Sequence, residues 1–166
     1  MIIVIPDHLP SAVCSELIGV YKNNKHSAKV WRDTKPLDLE NISNQEELNR
    51  CKVAIKYVNN TAVSFFGRDT YVEVGEIVKW PTNSYQPPHC DIARESTTCT
   101  SITYLNDDFE GGETYLTKEN FTVKPKVGRT ILFDGKKFEH EVKKITDGIR
   151  YTFILWYSNN VMDCIL

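Results

Sequence analysis

Long apolar runs are missing from this 166-residue chain, and with them goes any segment that reads as a membrane-spanning helix. The opening Met1-Ile2-Ile3-Val4-Ile5-Pro6 has no basic flank and is broken by a proline, so it reads as neither signal peptide nor anchor. Cysteine is sparse and scattered: Cys14, Cys51, Cys90, Cys99 and Cys164 make an odd set with no Cys-x-x-Cys spacing, which excludes a disulfide framework and a structural zinc site. A surplus of one charge is also lacking. The net charge is −2 with acids and bases interspersed, so the overall field offers nothing to a polyanion. There is no internal repeat, low-complexity stretch or linker. These absences predict one domain over residues 1–166, in the cytosol, with no nucleic-acid or membrane partner and no pattern that fixes an oligomeric state.

What is present is the composition of an ordinary globular protein, 41% hydrophobic and 25% charged. Met1 to Ile5 reads as a short strand, and a helix starts at Ser11 with Val13, Leu17, Ile18 and Tyr21 at helical spacing. Residues His26 to Ile42, with Trp31, Arg32 and Pro36, show no sustained period and read as a long loop carrying at most one strand, of the kind that often covers a site. Ser43-Asn44-Gln45-Glu46 fits a capping box for a second helix that ends at Gly67.

From Tyr71 the period changes to two, with Val72, Val74, Val78 and Trp80 on one face. Strands are predicted at Tyr71 to Trp80, His89 to Asp91, Thr98 to Leu105, Gly112 to Leu116, Phe121 to Val123, Thr130 to Phe133, Glu139 to Lys144 and Arg150 to Ser158. Helices first and short strands afterwards indicate an α+β class: a jelly roll with N-terminal supporting helices.

One constellation carries chemistry. Alternate residues of a strand share a face, so His89 and Asp91 in Pro-Pro-His-Cys-Asp can reach one point while Cys90 turns away. His140, in Phe-Glu-His-Glu-Val, supplies a third ligand from another strand. Two imidazoles and one carboxylate with the remaining corners free form the facial triad of non-haem Fe(II) oxygenases. A lone His-x-Asp is more often a surface pair, so the weight rests on His140 and on Arg150 shortly after it. On the last strand Arg150, Thr152, Ile154 and Trp156 share one face and Tyr151, Phe153, Leu155 and Tyr157 the other, which makes the strand central and Arg150 buried. A buried guanidinium either anchors a carboxylate bidentately or pairs with an internal acid.

The order of motifs resembles the 2-oxoglutarate- and Fe(II)-dependent dioxygenases, in the prolyl 4-hydroxylase-like branch. The resemblance rests on His89-Cys90-Asp91, on Tyr104 to Thr114 with its Asp-Asp-Phe-Glu-Gly-Gly-Glu core, on Pro125 to Phe133, and on His140 with Gly148-Ile149-Arg150. It implies a double-stranded β-helix with iron held by His89, Asp91 and His140 as the catalytic centre. It further implies 2-oxoglutarate meeting Arg150, with Tyr104, Tyr85, Thr152 and Trp156 as further co-substrate contacts, and ascorbate binding.

Tyr104 reads equally as a core aromatic. Relatives place tyrosines nine and three residues before the first histidine; here Trp80 and Gln86 stand there, with Tyr85 displaced by one. The two glycines of the acidic segment read as a tight turn with solvent-facing acids, and Asp147-Gly148 as a corner between sheets. His8 and His26 read as ordinary packing or surface residues.

The function implied is hydroxylation of prolyl residues of a peptide or protein with O2 and 2-oxoglutarate, releasing succinate and CO2. The loop around Trp31 and Arg32 and the segment Arg94 to Thr98 would cover the substrate. Asp91 argues for a hydroxylase over halogenating relatives, which replace the carboxylate. The other readings are hydroxylation of a free amino acid or other small molecule, and a non-catalytic jelly-roll module that binds metal or peptide.

Overall fold

The computed structural model describes every residue except 68, 92–94 and 166. In chain order the elements are β1 (Ile2–Ile5), α1 (Ser11–Asn23), β2 (Lys35–Asp38), α2 (Gln45–Phe66), β3 (Tyr71–Trp80), β4 (Gln86–His89), β5 (Thr97–Tyr104), β6 (Glu110–Gly111), β7 (Thr114–Leu116), β8 (Phe121–Val123), β9 (Thr130–Phe133), β10 (His140–Val142), β11 (Ile145–Asp147) and β12 (Arg150–Ser158). Six strands form the major sheet in the order β1-β9-β5-β12-β3-β2. Four form the minor sheet, β4-β10-β7-β8, and β11 pairs with β6. All pairings are antiparallel, as a jelly roll requires.

Two apolar layers follow. The helices bury Leu17, Val20, Tyr21, Ile55, Val58 and Ala62 against the outer face of the major sheet, where Phe153, Leu155 and Tyr157 lie fully buried. The inner face sends Val78, Trp80, Ile102, Ile131 and Phe133 toward Leu116, Val123 and Val142 of the minor sheet. The central strand β12 therefore works on both faces, as its double apolar pattern predicts. Among the described residues no helix is long and apolar enough to cross a membrane.

Several local details depart from the sequence expectations. The cap of α2 is Asn44, whose side chain accepts from the backbone N–H of Glu46 and Glu47, and Glu47 bonds Asn23 and Asn24 of α1 instead of closing a capping box. The long loop does carry a strand, β2, which edges the major sheet beside β3. In β3 a bulge at Glu73, between the pairs Val74↔Trp156 and Val72↔Tyr157, moves Val72 to the helix side and leaves Glu76, Val78 and Trp80 facing inward. The predicted strand over His89 to Asp91 is really β4, which ends at His89. Of the predicted Gly112 to Leu116 strand only Thr114–Leu116 is extended, as β7, and the short β6 precedes it. Gly148, at φ 77°, turns the chain from β11 in the small sheet to β12 in the major one, the expected corner.

Phe153 is fully buried where β12 meets the helices, so truncating it leaves a cavity that little can fill. Phe153→Ala is expected to lower stability by about 3–5 kcal/mol in urea denaturation; a loss below about 1 kcal/mol would contradict the central placement of β12.

Candidate active site

His89, Asp91 and His140 are brought together at the mouth between the two sheets, with one ligating atom from each lying within 4.8 Å of the others. Register accounts for the two histidines: His140 in β10 is the direct partner of His89 in β4, and their rings sit 4.3 Å apart. Asp91 arrives by a different route from the strand alternation expected. Its backbone N–H donates to the Gly135 carbonyl at 2.9 Å, just beyond β4. Gly135 has no room for a side chain, because a Cβ there would come within 2.9 Å of Asp91 Cβ and 2.7 Å of Thr100 Oγ1. Asp91 Oδ1 is then 3.5 Å from His89 Nε2, and Oδ2 is 3.8 Å from His140 Nε2.

Both imidazoles are oriented through Nδ1. It lies 2.9 Å from the Pro87 carbonyl in His89 and 3.2 Å from the Phe138 carbonyl in His140. A carbonyl only accepts, so Nδ1 carries the proton and each Nε2 lone pair faces the cluster. Burial favours neutral His89, yet its bond with Asp91, the Pro87 carbonyl and the Asp91 charge outweigh it and raise the pKa. In His140 burial prevails and the pKa falls. Burial also opposes the Asp91 charge, but the two histidines overcome it and hold the carboxyl below its ordinary value. Two nitrogen donors and a carboxylate suit a divalent iron that keeps free positions.

The cavity that opens from this cluster has a volume of about 680 Å³. Arg150 forms its inner end. It is 1% exposed, and its guanidinium carbon lies 4.8 Å from the Trp80 ring centre and 5.2 Å from that of Tyr104. Among the described residues no acceptor lies in hydrogen-bond geometry with Nε, Nη1 or Nη2, and burial pulls the pKa down against the opposing influence of the Tyr104 hydroxyl and the Glu113 charge. The alternative of an internal acid partner is thus not what the structure contains among the described residues. A buried fork of donors without an acceptor fits a dicarboxylate that enters the cavity.

The remaining sequence candidates fall in different places. The Thr152 hydroxyl accepts from Trp80 Nε1 at 3.0 Å and so holds the indole over Arg150. Trp156 lines the cavity. The Tyr104 ring flanks Arg150, while its hydroxyl donates to Thr114 Oγ1 at 2.6 Å. Tyr85 is 50% exposed and is not part of the lining, whereas Gln86 and Trp80 are. Trp31 and Arg32 line the mouth; of the 94–98 segment, residue 94 lies outside the described residues and Thr97 and Thr98 belong to β5, away from the cavity. Cys90 borders the cavity but is not in the ligand cluster.

The residue that sequence reasoning passed over is Glu76. It shares the inward face of β3 with Val78 and Trp80, and an acid on an otherwise apolar face was the available signal. Burial, the hydrogen bond with Asp38 and the Asp38 charge push its carboxyl up to about 8. A raised carboxyl pKa means the folded chain holds a proton that the unfolded chain has released, so stability falls as pH rises from the ordinary carboxyl range toward the folded value. Glu76→Gln is therefore expected to gain stability over wild type progressively between about pH 5 and pH 8; thermal melts whose difference stays flat over that span would refute the assignment.

Comparison with known proteins agrees with this geometry. The family model described as the 2OG-Fe(II) oxygenase superfamily matches residues 75–158, just over half of the chain. Human prolyl 3-hydroxylase 2 is 41% identical over 64 residues, which is 35% of this chain but 9% of that protein, so only a small part of the relative is spanned. In fold, the chain is similar to a Pseudomonas putida prolyl-4-hydroxylase (TM-score 0.78, 15% identity, 96% of this chain and 92% of that one). It is also similar to a Trichoplax adhaerens prolyl hydroxylase solved with a hypoxia inducible factor peptide fragment (TM-score 0.76, 19% identity, 95% and 83%). Fe(II) and 2-oxoglutarate are the cofactor and co-substrate that this family implies, and a dioxygenase is the enzyme class. With a jelly roll, a His-Asp-His cluster and an unpaired buried arginine in the matched region, the chain belongs to the 2OG-Fe(II) oxygenase superfamily.

Proposed function

We propose that the protein hydroxylates prolyl residues of a peptide or protein substrate, consuming O2 and 2-oxoglutarate and releasing succinate and CO2. The observation that carries the oxygenase half of this reading is Arg150, whose three guanidinium nitrogens are buried with no hydrogen-bond acceptor among the described residues, in the same cavity as the triad. The prolyl half is supported by the prolyl 3-hydroxylases that the chain resembles over 64 residues, and by the prolyl hydroxylases among the structures that share its fold.

In this reading His89, Asp91 and His140 hold the iron, and Arg150 receives the distal carboxylate of 2-oxoglutarate between the rings of Trp80 and Tyr104. Iron held there would supply the oxidising chemistry for which 2-oxoglutarate and O2 are consumed. The chain supplies orientation and exclusion of water. Nδ1 protonation of each histidine fixes which nitrogen faces the metal, and the Thr152 bond to Trp80 keeps an apolar plate over the guanidinium. Val78, Ile102, Val142 and Ile154 make the walls apolar, so charges inside act at low dielectric. Trp31 and Arg32 line the same cavity.

The deciding experiment is aerobic incubation of the Fe(II)-loaded protein with 2-oxoglutarate and a panel of proline-containing peptides, reading succinate release and the addition of one oxygen atom to proline by mass spectrometry. Oxygen is expected on proline in at least one peptide, with no product from Asp91→Ala; succinate release without peptide oxidation across the panel would overturn the prolyl assignment. Removing the charge of Arg150 while keeping its stem should weaken the co-substrate specifically. Arg150→Met is expected to raise KM for 2-oxoglutarate by about 30-fold or more, the scale of a buried charge contact, while Fe(II) binding persists in anaerobic titration. An unchanged KM would remove Arg150 from the co-substrate site.

A further inference from the structure

The wall of the cavity opposite the minor sheet carries an acid that the reaction itself does not use. Glu76 of β3 stands in register between Asp38 of β2 and Ile154 of β12, so two carboxyl groups face each other directly across adjacent strands. Like charges placed opposite one another destabilise a sheet unless something positive joins them. Lys29 is the nearest cation, and it is already paired with Asp38. Arg32 stacks on the Trp31 ring, its guanidinium carbon 5.1 Å from the centroid. Among the described residues Glu76 forms no ion pair of its own, and the Lys29 charge that acts on it is shared with Asp38.

Its position relative to the triad is equally telling. The charge of Asp91 acts on Glu76, which puts the acid within electrostatic reach of the ligand cluster. Arg150 pairs with Trp80, four residues along β3 from Glu76 and so roughly 13 Å away along the strand. One end of the cavity is therefore built for an anion and the other carries an acid. In the loaded protein the charges of Fe(II) and 2-oxoglutarate offset each other, and Arg150 offsets Asp91. What remains is the Asp38–Glu76 pair, two carboxyl groups served by the single Lys29 ammonium. Trp156 is also on the lining, an aromatic side chain of the kind that favours a nearby cation.

We propose that Glu76 determines substrate specificity by receiving a positively charged group, the amine or guanidinium of a lysine- or arginine-type side chain, next to the residue that is oxidised. The proposal deepens the prolyl hydroxylase reading and rests on it for the identity of the reaction. It makes the substrate a basic, proline-containing segment. The proton that Glu76 holds in the free protein is displaced when the cation arrives, because the arriving charge does the work the proton did.

All three tryptophans of the chain, Trp31, Trp80 and Trp156, line this cavity, so intrinsic fluorescence reports on it directly. The probes are capped proline peptides in matched pairs, a single lysine being moved through the flanking positions of one set and replaced by norleucine in the other. Binding is measured under argon with Mn(II) and 2-oxoglutarate, where no turnover occurs. At one or two positions the lysine peptide is expected to bind about tenfold tighter or better than its norleucine twin, the worth of one good partly buried charge contact. In Glu76→Gln, which keeps the shape, that gap should close.

Equal affinities for every pair in the wild type overturn the proposal without recourse to any variant, and so does a gap that survives in Glu76→Gln. The same peptides in air separate the two readings. Lysine and norleucine peptides oxidised equally well on proline leave the reaction standing and remove the recognition. A Glu76-dependent lysine preference with no oxygen added to proline keeps the recognition and removes the prolyl assignment.

Discussion

Burying a guanidinium with none of its donors satisfied costs several kcal/mol, and in this protein that burden falls on Arg150 at the first residue of β12. The neighbouring structure can be understood as what makes the burden bearable. Trp80 and Tyr104 present ring faces to the cation, Thr152 and Thr114 fix those rings, and Gly112 gives the arginine stem its space, since a Cβ there would come 2.9 Å from Arg150 Cδ. The fold thus keeps a strong anion receptor ready at the base of a dry cavity. The energy withheld inside the folded chain is available to whichever carboxylate fills the place.

The triad and the anchor were legible because their chemistry is tied to residue types that rarely stand together by accident. His89, Asp91 and His140 were found from a spacing, and Arg150 from the two-faced pattern of β12. The spacing argument reached the right residues by a partly different path, for the strand stops at His89 and Asp91 is fixed by the Gly135 carbonyl. What stayed hidden were features decided by pairing between distant segments. The β2 strand has four residues and no period of its own, and only its register with β3 reveals that Asp38 meets Glu76. The bulge at Glu73 cannot be seen in an alternating string, so Val72 looked like an inward residue.

The expected tyrosine wall illustrates the same limit. Two prolines between Gln86 and His89 set the direction of β4, and they place Gln86 inside and Tyr85 outside. No count of residues back from His89 supplies that direction. Trp80 was noted as a departure from relatives' patterns, and its meaning as a plate over Arg150 required the register Arg150↔Trp80.

The order of strands in the major sheet, β1-β9-β5-β12-β3-β2, bears on how the protein comes into being. Every hydrogen-bonded neighbour in that sheet is separated in sequence by at least one other element, and the strand at its middle is the last of the twelve to leave the ribosome. β3 can pair with β2 and β5 with β9 before then, but neither can close its second edge until residues through Ser158 have been synthesised.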